Sequence, residues 1–339
     1  MMKSIMFSKA KLLMMVVGVA FAANAVTFLH SQYDSTGFIW NYTENFDSFV
    51  LQTPGATMNG GISEGSWSSF NVVNPATFRF DAEELEGLFP QAPVEPFTLP
   101  EGLPDKIQSY DQIEGVANHV RHQWDLGMNP IPVLIDLLEM KGIRVFCIDA
   151  REDAKFDGLL AYAAESPVVV VGKYWPGDRQ RFTLAHELGH LVLASRLSDG
   201  LDGEKACHRF AGAFLFPDYS VKAYLGQKRS SLEVREVLSL KHEFGLSMAA
   251  IIRRALDLGI IKEGYYKHLN IQFGKKGWRK CEPGESVNSE TGQVFCNLVF
   301  HALAGEYIGD SKAAELLSLP LDKFRRYRSM EEIDAAPCQ

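Results

Sequence analysis

The spacing His186-Glu187-Leu188-Gly189-His190 constrains this chain more than any other feature of its sequence. The segment Arg181–His190 reads as helix, and residues four apart on a helix stand one turn apart on the same face. Both imidazoles can therefore converge on one ion. Glu187 lies about 100° round from His186, which points it at the ion's open side, where a carboxylate can take a proton from water. Zinc suits these borderline ligands and lowers the pKa of a bound water to about 7. The plain alternative is two solvent-facing histidines on an amphipathic helix. Against it, Ala185, Leu188 and Gly189 make the helix apolar, and a charged Glu187 does not enter such surroundings without a partner. Gly189 costs roughly 1 kcal/mol in a helix interior, so it marks a close approach by another element.

A catalytic zinc takes three protein ligands and keeps one position open. Two ligands from one helix leave the third to arrive from elsewhere in the chain. Downstream runs Glu204-Lys205-Ala206-Cys207-His208-Arg209-Phe210-Ala211-Gly212-Ala213-Phe214-Leu215-Phe216-Pro217. On a helix Glu204, Cys207, His208, Ala211 and Leu215 share one face, mostly apolar or small, so Glu204 points inward and needs a cation. The competing role for Glu204 is a first-turn glutamate held by the helix dipole, and Asp202 is the nearest rival acid. Cys207 and His208 are placed to line the same site.

These elements sit inside an ordered stretch. Ile113, Val116, Val120 and Trp124 recur at helical spacing, as do Val133, Leu134, Leu137 and Leu138. The runs Ile143–Ile148, Leu159–Ala163 and Val168–Val171 read as strands, the last as an edge strand on which an extended substrate can align or as an ordinary buried strand. After Pro176-Gly177, Asp178 is the predicted N-cap of the histidine helix, and the remainder reads as helices to Tyr327. Two helix-turn-helix shapes appear, Leu240–Ala255 and Ser311–Tyr327. Both are compatible with plain helix packing, and the second also with a partner-docking module.

The N-terminal third differs. Lys3, Lys9 and Lys11 precede an apolar run from Leu12 to Ala22, the layout of a secretory leader, and read through to Leu29 the run is long enough for a membrane anchor. Residues 31–75 are rich in Ser, Thr, Asn, Gly and aromatics. Asn41-Tyr42-Thr43 matches a glycosylation triplet, a weak signal at that length. Five prolines between residues 90 and 105 suggest a linker. The expected organisation is residues 1–29 as leader or anchor, 30–105 as segment and linker, 106–228 as the metal-bearing core, and 229–339 as a helical C-terminal region.

With 339 residues the chain can hold more than one domain. Its formal charge of −8 argues against a whole-protein nucleic-acid binder, because phosphate contacts need a positive surface. DNA binding is thus not favoured as a partner mode. The cysteines Cys147, Cys207, Cys281, Cys296 and Cys338 are odd in number and contain no CxxC, which favours a reducing, cytoplasmic setting. A genuine leader would instead mean export or membrane association through residues 12–29. Oligomeric state is not legible.

Arg181–His190, Glu204–Pro217 and Phe156-Asp157-Gly158-Leu159 together resemble the ImmA/IrrE-type metallo-endopeptidases, over roughly residues 111–265. The resemblance implies an α+β, zincin-like body with a small twisted sheet, Zn2+ held by His186, His190 and Glu204, and Glu187 as the catalytic glutamate. It further implies a protein substrate, such as a repressor or antitoxin-like regulator. The family usually has Asn where this chain has His208. It also often carries an N-terminal helix-turn-helix domain, of which residues 1–105 show no sign. The competing expectation is a non-catalytic zinc-containing regulatory or toxin–antitoxin binding module.

Overall fold

A computed structural model describes residues 85, 87–89, 94–148, 157–163 and 166–331, with the backbone of two-residue strands at 26–27, 52–53 and 56–57. The apolar run from Leu12 to Ala22 and the Asn41 triplet lie outside the described residues. Among the described residues, no helix is long and apolar enough to cross a membrane.

The architecture is α+β, with eleven helices among the described residues around a small sheet. Strand β1 is Val26–Thr27, β2 and β3 are the pair Gln52–Thr53 and Ala56–Thr57, and the three longer strands are β4, Arg144–Ile148, β5, Gly158–Ala163, and β6, Ser166–Gly172. The main sheet runs β1, β5, β6, β4. Strand β6 pairs parallel with β4, Arg144 opposite Val168, and antiparallel with β5, Gly158 opposite Val171. Among the described residues, Val26 and Thr27 of β1 add to the outer edge of β5, beside Ala163 and Tyr162.

This order corrects the edge-strand expectation. Strand β6 lies inside the sheet and is buried from Pro167 to Gly172. A continuous apolar run such as Val168–Val171 is what burial on both faces selects. Strand β5, which also borders the histidine helix, has no strand partner on its outer edge at residues 158–161 among the described residues.

Helices α1, Tyr110–Gln123, and α2, Leu134–Met140, precede the sheet, and α3, Gly177–Leu193, follows it. Helix α3 packs against β5 and β6 on one side and on α4, Gly203–Leu215, on the other. Asp178 is not the N-cap. Pro176 holds that position, and Asp178 in the first turn pairs with buried Lys241 at 3.3 Å. An acidic first-turn residue suits the helix dipole as well as a cap does.

Helices α5, Asp218–Leu225, α6, Val234–Phe244, α7, Met248–Asp257, and α8, Glu263–Lys275, continue the body. One buried apolar cluster runs from Ile107 to Phe273 and passes through residue 228 without a break. The expected helix, glycine turn and helix at Leu240–Ala255 is present as α6, Gly245 with φ +62°, and α7. Helix α7 is packed in that core. Its Arg254 is 1 % exposed, pairs with Glu114 at 2.6 Å and donates to the Phe216 carbonyl. Gly212 makes room for this arginine, since a Cβ there would meet Arg254 Cδ at 2.9 Å.

Phe97 and Leu103 of the proline-rich stretch pack against the same cluster, and Ile107 exchanges backbone hydrogen bonds with Arg196 and Ser198. A second, smaller cluster joins Leu85 to helices α9, Val294–Ala304, α10, Asp310–Leu316, and α11, Leu321–Arg328. The segment 282–293 links the two. Glu290 accepts from Arg181 Nη1 at 2.5 Å and from the backbone N–H of Leu134, and Asp136 accepts from the N–H groups of Gln293 and Val294.

Leu184 of α3 is fully buried in the main apolar cluster. Leu184→Ala is expected to cost about 2–5 kcal/mol, because the cavity can collapse only partly. Chemical denaturation checks this, and a loss under 1 kcal/mol would contradict the packing described.

Candidate metal centre

The centre is made where α3 and α4 cross. A Cβ on Gly189 would lie 3.2 Å from Cys207 Cα and 3.2 Å from Phe210 Cδ1, tighter than ordinary van der Waals contact, so glycine favours this close approach. Asp202 caps α4 by accepting from the Lys205 N–H at 3.1 Å. That use removes Asp202 as the rival acid. It also starts the helix so that Glu204, in its first turn, faces the two histidines.

The geometry follows from that crossing. His186 Nε2 and His190 Nε2 are 3.1 Å apart, His186 Nε2 is 3.3 Å from Glu204 Oε2, and His190 Nε2 is 3.5 Å from Glu204 Oε1. One ligand atom from each of the three residues lies within 4.8 Å of the others. Tetrahedral coordination at bonds of about 2.0–2.1 Å places donor atoms roughly 3.3 Å apart, which these separations bracket. Two imidazole nitrogens facing each other at such a distance need a proton or a cation between them. Glu204 Oε1 is buried and accepts no hydrogen bond, an arrangement that would be costly without a cation nearby. The donor set therefore fits a divalent zinc-type ion.

Burial of Glu204 would by itself raise its pKa, but the hydrogen bond with His186 and the charges of His190, His186 and His208 outweigh it and hold the carboxyl below its usual value. Glu204 is thus an anion ready for a cation. His186 and His190 are 5 % and 6 % exposed, and Glu187 2 %, whereas the Glu204 side chain is 31 % exposed. The site therefore opens on the glutamate side.

Glu187 stands off the ligand trio, next to the start of β5. A Cβ on Gly158 would come 2.4 Å from Thr183 Cγ2 and 3.9 Å from Glu187 Oε1. Gly158 thus lets the strand run flush along the face of α3 that carries Glu187. His208 stands at the mouth, exposed on one side, with its ring 4.6 Å from His186 and 5.8 Å from Phe182. Desolvation on the covered side, then the charge of His186, lower its pKa, and it is not among the converging ligands.

Helix-face spacing put Cys207 at the site but not its partner there, and two buried ion pairs had no signal at the level of spacing. Cys207 Sγ lies 3.3 Å from His190 Nδ1, and its thiol is pushed up by burial and then by the charges of Glu204 and Glu187. Arg181 is buried against Glu290, 109 positions away. Lys241 is buried between Asp178 and Glu282. Pairings across such distances follow from the tertiary path alone.

Residues 138–256 match the family model described as Peptidase_M78, IrrE N-terminal-like domain. The family likeness read from the histidine segment holds over these residues, about a third of the chain. No curated protein matches. Among solved structures, a Mycobacterium tuberculosis transcriptional regulator is 21 % identical over 42 % of this chain and 46 % of that chain, with a TM-score of 0.33. The chain thus spans less than half the length of that regulator.

His186→Ala removes one of the three donors. Elemental analysis of dialysed protein is expected to give about one zinc per chain for the wild type and under a tenth of that for the variant. Equal zinc in both would exclude this centre.

Proposed function

With an IrrE N-terminal-like domain of the M78 peptidases across residues 138–256, we propose that this chain is a zinc-dependent endopeptidase of zincin-like fold that cleaves a specific regulatory protein. The observation that carries the proposal is the set of separations among His186, His190 and Glu204, with Glu187 one residue from a ligand yet outside the set.

Zinc, when bound there, supplies a Lewis acid for the scissile carbonyl and makes hydroxide available near neutral pH. The protein's own residues do the rest. His186, His190 and Glu204 hold the ion and leave one side open. Glu187 accepts the proton of the attacking water and returns it to the leaving amine, the task of a buried carboxylate beside an open position. Two negative charges, on Glu187 and Glu204, are balanced by a divalent ion, so neither carboxylate is stranded in apolar surroundings.

Substrate alignment falls to β5. Its edge away from β6 meets Val26–Thr27 only at Tyr162 and Ala163, so among the described residues positions 158–161 have no strand partner there. An extended peptide adding to that edge by main-chain hydrogen bonds would pass the Glu187 side of α3. The stretch begins at Gly158, the residue that permits the close approach of strand and helix.

Glu187→Gln keeps shape and hydrogen bonding while removing the base. The expected result is unchanged zinc content with cleavage lowered by about 10²–10⁴-fold, read as new protein N-termini in cells expressing the wild type and missing in cells expressing the variant. Retained cleavage would end the assignment. A partner bound equally by both forms and never cut would select the non-catalytic binding module.

A further inference from the structure

A metal-binding imidazole is kept in place by whatever its other nitrogen meets, and that partner is usually a carboxylate, a backbone carbonyl or water. Here Nε2 of His190 faces the point shared with His186 and Glu204, so its lone pair is needed there and the proton belongs on Nδ1. What Nδ1 meets is the sulfur of Cys207, at 3.3 Å.

The position of that sulfur is fixed by the backbone. Cys207 is 2 % exposed and follows Glu204 by one turn of α4. Its Cα and Cβ lie 3.2 Å and 3.3 Å from where a Cβ on Gly189 would be, and Gly189 immediately precedes His190. One turn of α4 therefore brings a carboxylate to the front of the His190 ring and a sulfur to its back. Cys207 is not a fourth ligand. Its contact is with the nitrogen turned away from the shared point, and it falls outside the group of converging donors.

We propose that Cys207 is a positioning residue for the metal centre: its sulfur accepts the Nδ1–H of His190, selects the tautomer that leaves Nε2 open to the ion, and holds the ring against rotation. The inference rests on the zinc reading given above and adds what governs the strength of the site. Sulfur is a weaker acceptor than a carboxylate or a carbonyl, so His190 is oriented while its basicity is raised little. Zinc is then held less tightly than it would be with an oxygen acceptor behind the same ring.

The test compares the wild type, Cys207→Ala and Cys207→Ser by zinc competition against a chromophoric chelator, with NMR of the zinc-loaded proteins carrying 15N-histidine. Removing the partner of a ligand histidine weakens metal binding by about 10–100-fold, and with a weak acceptor the expected loss in Cys207→Ala is about tenfold. The exchange-protected Nδ1–H resonance of His190 should vanish in that variant. Cys207→Ser should recover most of both, because a hydroxyl oxygen also accepts, although the shorter C–O bond leaves it farther from Nδ1 than the sulfur and offsets its stronger acceptance. Equal zinc affinity in the wild type and the alanine variant, with an unchanged Nδ1–H signal, overturns the proposal. So does a serine variant as weak as alanine when both apo proteins have lost thermal stability, since that is the signature of lost packing. A wild type that binds no zinc takes down the metal reading itself, whereas a zinc-binding wild type with an unaffected alanine variant removes only the role of Cys207.

Discussion

The close crossing of α3 and α4 at Gly189 is the constraint on which the rest of the molecule depends. Two histidines one turn apart can face a common point without help from the fold, but they cannot complete a coordination set. The third donor has to come from another element at a separation of a few ångströms, and a Cβ at position 189 would crowd the backbone and side chain of Cys207 and the ring of Phe210. Small residues on α4, Ala206, Ala211, Gly212 and Ala213, extend the same economy of volume along the helix, so α4 is buried among its neighbours while its first turn stays at the rim of the site. Glu204 is thereby half-exposed at the mouth and the histidines lie beneath it.

Buried ion pairs fix that crossing in space. Arg181 with Glu290, Lys241 with Asp178 and Glu282, and Arg254 with Glu114 are each largely withdrawn from water. Such pairs contribute little net stability, since desolvation offsets much of the attraction, but breaking one strands a charge and costs several kcal/mol. Their effect is on register. Two of them grip the first two turns of α3, upstream of His186, and tie it to the segment 282–293. The third ties α7 to α1 and, through the Phe216 carbonyl, to the end of α4. The helices that carry the site are thus held at points away from it.

The contact between Cys207 and His190 belongs to the same geometry. A helix that delivers a ligand in its first turn places another residue one turn later, behind the ligands of its partner helix. In this chain that residue is a buried thiol, and position 208, next to it, is a histidine at the mouth where the resembled family usually has asparagine. Both side chains lie next to the point on which His186, His190 and Glu204 converge, Cys207 against the His190 ring and His208 against the His186 ring.

The sequence by itself determined the parts of this protein that depend on short range. Helical periodicity located α1 and α2, apolar runs located β4, β5 and β6 within one or two residues, and the spacing of His186, Glu187 and His190 fixed which residues share a helix face. An inward glutamate on an apolar helix face singled out Glu204, because burying a charge without a cation is too costly to occur by accident. Strand order was not legible. The valines of β6 look the same whether the strand is an edge or an interior one, since a pattern along one strand says nothing about its neighbours. Nor were the roles of Asp178 and Asp202 legible, because both residues suit a helix start and only the position of Pro176 and the path of Lys241 distinguished cap from ion pair. The tertiary structure alone decided that α4 crosses α3 at Gly189, that Cys207 stands behind His190, and that the core continues through residue 228. Each is a contact between residues far apart in the chain, and its free energy depends on shape complementarity that no local pattern encodes.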